Sequence, residues 1–167
     1  MDISLKNVEY SPRNSQETMC FYAEIFIDGK PAMTARNDGR GGMSFHDPHP
    51  KNPQFYAEAE KMLLDWGKTL PPMKAAGREF PYDDLDMIST KLVSDHLAAK
   101  ELTKMIRSKV VMVEAGQVFT LKPVAGRSPS DAAVLEAAKR SYPNATILNS
   151  LPFDEAVKQY IAAGEGA

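Results

Sequence analysis

Between residues 18 and 27, in TMCFYAEIFI, Phe21, Ala23, Ile25 and Ile27 recur at every second position, the spacing that sends alternate side chains of an extended strand to one face. Residues 3–9 (ISLKNVE) read as a preceding strand. Asp28-Gly29 separates the second run from Pro31 to Ala35, and a two-residue Asp-Gly link between extended segments predicts a hairpin, because Gly accepts positive φ without steric penalty. The chain therefore begins as an antiparallel meander. It then enters NDGRGG (37–42) and SFHDPHPKNP (44–53), where breakers are dense enough to predict a long loop with no regular element.

Beyond this loop the apolar period changes. Phe55, Ala59, Met62, Leu63 and Trp66 fall at helical spacing and predict one amphipathic helix. Residues 69–82 (TLPPMKAAGREFPY) read as a connector. Asp83, Asp84 and Asp86 crowd the start of a longer helix running to about Lys109, with Leu85, Ile88, Leu92, Ala99, Leu102 and Ile106 as its buried stripe. Acidic residues at its start and Lys104, Arg107 and Lys109 at its end complement the macrodipole. VVMVE (110–114) and QVFTLK (117–122) around Ala115-Gly116 predict a second hairpin, followed by the linker PVAGRSPS. Ser130 is the expected N-cap of a helix through Arg140, Tyr142-Pro143-Asn144 ends it, ATILN supplies a short strand, and LPFDEAVKQYIAAG closes the chain as a helix. Strands and helices do not alternate evenly, so the expected fold class is α+β: antiparallel meander and hairpins packed with about four helices. One domain over residues 1–167 is expected, with subregions 1–70 and 83–167.

Composition narrows the function classes. The 167 residues are 43% apolar and 25% charged, the balance of a chain that folds unaided. With a formal net charge of −2 there is no global positive field to gather nucleic acid or anionic lipid. Cys20 is the sole cysteine, which rules out an intrachain disulfide and a cysteine-rich zinc site. MDISLKNVEY lacks the layout of a signal peptide, and no stretch is long and apolar enough to span a bilayer, so a cytoplasmic protein without membrane contact is expected.

Candidate chemistry concentrates between Arg36 and His49. Arg36, Asn37, Asp38, Gly39, Arg40, Gly41, Gly42, His46 and His49 form the expected ligand or partner surface: glycines let backbone N–H groups turn inward around an anion, and either arginine can grip a phosphate or carboxylate in two places. The same composition also suits a surface loop that needs positive φ at several positions. The spacing matches neither a P-loop nor a dinucleotide fingerprint, so no cofactor is implied. A second reading is a metal-assisted hydrolase or nuclease in which His46, Asp47 and His49, with Asp38, ligate a divalent ion. A third is local nucleic-acid binding by the ridge Lys100, Lys104, Arg107 and Lys109, although no aromatics interleave it for base stacking. No nucleophile elbow or ordered Ser-His-Asp set is present, so no catalytic residue is assigned.

Three segments taken together carry a resemblance: ETMCFYAEIFIDGKPA with NDGRGG at 17–42, RSKVVMVEAGQVF at 107–119, and TILNSLPFDEA at 146–156. The combination resembles a group of short accessory proteins carried by bacteriophages, prophages and other mobile elements, over most of the chain. The resemblance implies a genomic setting, not a reaction. It implies a factor in the host bacterial cytoplasm that binds and disables a host protein, such as a restriction or CRISPR effector.

Overall fold

The computed structural model describes residues 1–75 and 77–164, and it divides into two compact units, 1–94 and 95–167. Each unit is an α+β assembly built on an antiparallel sheet.

In the first unit β1 (Ile3–Tyr10), β2 (Cys20–Ile27), β3 (Lys30–Asp38) and β4 (Phe45–Pro48) form a four-stranded meander in sequence order. The β2–β3 turn is Asp28-Gly29, with φ of 48° and 77°, the doubly positive geometry that matches the twist of the flanking strands. Register assigns the two faces. Phe21, Ala23 and Ile25 pair with Asn37, Ala35 and Met33, and all six are buried. That is the period-two face expected from the sequence, now extended across a second strand.

β4 lies in the segment where no regular element was expected. Its four residues pair with Met33–Arg36 of β3, and its one proline ends the strand at the sheet edge, where a missing N–H leaves no ladder partner unserved. Breaker density marked a loop correctly around residues 39–43 but overreached into the strand. Likewise the 69–82 connector contains a small hairpin, β5 (Met73–Ala75) with β6 (Arg78–Phe80); residue 76 lies outside the described residues.

A 3-10 turn (Pro53–Phe55) leads into α1 (Tyr56–Gly67), which buries Ala59, Leu63 and Gly67. α2 (Leu85–Ser108) follows, its first turn capped by the Asp84 carboxylate, which accepts the Met87 N–H at 2.7 Å. The division between the units falls inside α2 and not at the 69–82 connector. Ile88 and Val93 are buried in the first unit, while Leu102 joins a core of the second.

In the second unit β7 (Val110–Glu114) is central, flanked by β8 (Gln117–Leu121) and the two-residue β9 (Thr146–Ile147). Alternation along β7 splits the unit into two cores. Val110 and Met112 pack with Ala138, Ala145 and Ile147 on one face; Val111 packs with Leu102, Leu148 and Ala156 on the other. α3 (Ala132–Ser141) covers the first face and α4 (Phe153–Gly164) belongs to the second. The N-cap of α3 is Asp131, one residue beyond the expected Ser130: its carboxylate accepts the Ala133 N–H at 2.9 Å and pairs with Arg127, which lowers its pKa. A carboxylate that also meets a guanidinium outcompetes a neighbouring hydroxyl for the cap.

Gly67 is where α1 meets the chain leading into α2. A Cβ built on it would sit 2.2 Å from the Tyr82 carbonyl oxygen and 2.8 Å from Ile88 Cδ1. Gly67→Ala should therefore lower the unfolding free energy by about 1–3 kcal/mol, the usual cost of forcing atoms into a packed contact. Gly164→Ala, with open space around it, is the control. Equal urea midpoints for the two variants would contradict this close approach.

Candidate functional site

Asn37, at the end of β3, organises the glycine-rich loop through its side chain. Its Oδ1 accepts the Thr18 hydroxyl at 2.8 Å and the Gly39 N–H at 2.9 Å, while its Nδ2 donates to the Gly42 carbonyl at 3.2 Å and to Ser44 Oγ at 3.3 Å. Two acceptor and two donor bonds exhaust a carboxamide's capacity. Asn37 is only 7% exposed, so these bonds replace water fully.

Two further N–H groups and one carbonyl of the loop are also engaged. The Arg40 N–H donates to Asp38 Oδ1 at 3.3 Å, and the Gly41 N–H donates to Thr18 Oγ1 at 3.3 Å. The Gly39 carbonyl accepts the N–H groups of Gln16, Glu17 and Thr18 at 2.9, 3.0 and 3.4 Å. The N–H groups of Gly39, Arg40 and Gly41 thus point to acceptors within the chain. Gly39 itself has φ of 81°, and a Cβ there would lie 2.2 Å from the Asn14 carbonyl, so side chains are excluded by two independent constraints.

Beyond the loop, the Ser44 N–H donates to Asp86 Oδ1 of α2 at 2.7 Å, which fixes the start of β4. The next residues then alternate. Phe45 pairs with Arg36 and Asp47 with Thr34, on the face that carries Tyr22 and Glu24 of β2; His46 pairs with Ala35 on the buried face. The imidazole of His46 consequently meets Ser89 Oγ of α2, 3.0 Å from its Nε2. Burial pulls the His46 pKa down, against the opposing pull of Asp86 and Asp84.

His49 lies on the side opposite His46. It is buried against Phe26, with ring centroids 5.6 Å apart in an edge-to-face arrangement. Its Nδ1 accepts the Lys51 N–H at 3.1 Å, which leaves the ring proton on Nε2, 3.5 Å from Glu24 Oε2. That separation exceeds a charge-assisted hydrogen bond, so the Glu24 contact is electrostatic. The Asn7 side chain hydrogen-bonds Glu24 and, with His49, holds its carboxyl below the usual range.

The residues singled out from sequence therefore part company. Arg36, Asn37, Asp38, Gly39, Arg40, Gly41 and Gly42 form one continuous structure, with Asn37 and Gly39 buried inside it and Asp38 and Arg40 exposed. His46, Asp47 and His49 are not brought together, and among the described residues no group of three or more His, Cys, Asp or Glu is placed to hold a metal ion. Lys100, Lys104, Arg107 and Lys109 are all exposed, in the second unit.

Two residues that sequence reasoning passed over stand out by their exposure. Phe45 is 58% exposed and Met43 69%. The Arg36 guanidinium lies over the Phe45 ring, 4.8 Å from its centroid, with Nε 3.9 Å from Asp47 Oδ2. Register places Glu9, Tyr22, Arg36 and Phe45 in one row across all four strands. Burial raises the Tyr22 pKa, with Glu24 and Glu9 adding to the shift. The available signal was the parity of a strand that the prolines concealed.

No helix among the described residues is long and apolar enough to cross a membrane. The chain matches no protein-family model, no curated protein and no solved structure.

Asn37→Ala strips four bonds from a buried site and should cost about 1–3 kcal/mol for the groups left unsatisfied. Amide exchange at Gly39 and Gly41 should quicken while β2 stays protected; unchanged exchange would refute the role given to Asn37. For His46, the folded pKa lies below the ordinary value of 6.5, so the unfolded chain binds the extra proton first as pH falls. Its contribution is complete above about pH 6.5 and declines as pH drops toward the folded value. Urea midpoints should therefore fall more steeply from pH 7 to 5 for the native chain than for His46→Gln, and parallel curves would exclude this.

Proposed function

We propose that this chain is a non-catalytic binding protein that holds a partner protein against the solvent face of its four-stranded sheet, with the glycine-rich loop and Met43 at the margin. One observation carries the reading: Tyr22, Arg36 and Phe45 stand side by side across three strands, on a scaffold whose adjoining loop is held by the hydrogen bonds of Asn37 and Thr18. Tyr and Arg dominate the energetics of protein interfaces, and Phe and Met are enriched in them. A surface ordered before contact avoids the entropy of ordering it on contact.

Charge favours a protein over a polyanion. Glu9, Glu24 and Asp47 share this face with Arg36, and a phosphate backbone would meet as much repulsion as attraction there. The engaged N–H groups of Gly39, Arg40 and Gly41 favour a structural loop over an anion cradle. The resemblance to phage and mobile-element accessory proteins supports a partner from the bacterial host, such as a defence effector, met in the host cytoplasm.

The test pairs partner capture with single substitutions. The native chain, immobilised and exposed to host lysate, should retain a stoichiometric protein identifiable by mass spectrometry. Phe45→Ala and Arg36→Ala should each weaken the purified interaction by about tenfold or more, the scale of interface anchors. Both side chains are more than half exposed, so circular dichroism and Tm should stay unchanged. Undiminished affinity in both variants would reject this face as the binding surface.

A further inference from the structure

The second unit contains a concavity of about 550 Å³ that the sheet-face reading does not use. Its floor is the end of the β7–β8 hairpin, where Val110 pairs with Leu121. One wall is α3, which presents Ala133, Val134 and Ala137. The other is the segment from Lys122 to Arg127, which leaves the sheet and returns toward the cap of α3. Val134 and Ala138 of α3 pack on Val110 and Leu121, while Ala133, Ala137 and Ser141 of the same helix stay exposed above them. The same core continues through Met112, Ala145 and Ile147.

Size, lining and rim charge agree on one class of occupant. Small-molecule sites run from about 300 to 1,000 Å³, with mostly apolar walls and a few polar groups that set orientation. Here the walls are aliphatic and the charged groups are cationic. Lys122 has no ion-pair or hydrogen-bond partner for its side chain among the described residues. Arg127 commits only Nη1, to Asp131 at 2.9 Å, which leaves further N–H donors of its fork available. Glu136 stands about 130° around the helix from the middle of the lining residues, so Asp131 is the acid at this rim and it is already paired.

We propose that this concavity binds a small amphipathic anion, an apolar body bearing a carboxylate, with the body between α3 and the 122–127 segment and the carboxylate at Lys122 and Arg127. It is independent of the sheet-face reading, since every lining residue lies in the second unit.

Titration of the full chain with decanoate below its micellar concentration, followed by amide chemical shifts, tests this. Saturable one-to-one binding is expected, with shifts centred on residues 121–141. Lys122→Glu should weaken it about tenfold, as loss and reversal of a rim charge would, and decylammonium should bind more weakly than decanoate. Ala137→Phe should block binding by occupying the space, while the exposed Lys122→Glu keeps the test valid even where the larger side chain disturbs folding. Non-saturating shifts spread over the surface, equal binding of decylammonium, or an unchanged affinity in Lys122→Glu would each overturn the proposal.

Discussion

The first unit depends on the saturation of one buried carboxamide. Asn37 follows the last core position of β3, and its four hydrogen bonds reach the strand entry at Thr18, the turn at Gly39, and the approach to β4 at Gly42 and Ser44. Removing it would leave buried donors and acceptors without water, which is what makes a fully satisfied polar cluster specify one conformation. From there order propagates along the backbone. Ser44 is fixed to Asp86, β4 starts in a defined register, and Phe45 is delivered opposite Arg36.

Strand parity then separates chemistry that looks contiguous in the sequence. His46 and His49 are three residues apart, an odd number, and an extended chain sends such residues to opposite faces. One imidazole meets Ser89, and the other meets Phe26 and Glu24. Asp47 sits with Arg36 on the solvent side. The cluster of imidazoles and carboxylates in HDPH is thus divided by the sheet itself, and each member finds a structural partner.

The same alternation organises the second unit, where it produces two cores, one on each face of β7. The face containing Val111 is closed by Leu102, Leu148 and Ala156, and the face containing Val110 by Ala138, Ala145 and Ile147. Above the second of these cores, the exposed Ala133 and Ala137 of α3 border the concavity that Lys122 and Arg127 rim.

Much of the architecture was legible before any coordinates. The period-two run in β2, the Asp-Gly and Ala-Gly turns, the helical stripes of α1 and α2, and the acidic start of α2 each follow from local physics that one segment carries alone. Those features determined an α+β chain with two hairpin-based sheets. What escaped was everything settled by a distant partner. β4 survives its proline because β3 supplies the ladder and α2 anchors its start, and Asp131 displaces Ser130 as a cap because Arg127 stands beside it. Phe45 gains meaning only once register shows that it shares a face with Arg36, and the glycine-rich loop turns inward because Asn37 at its start and Thr18 ahead of β2 supply its acceptors. Hydrophobic period is written in neighbouring residues, whereas register, hydrogen-bond partners and unfilled volume belong to pairs of segments, and only the tertiary structure brings those pairs together.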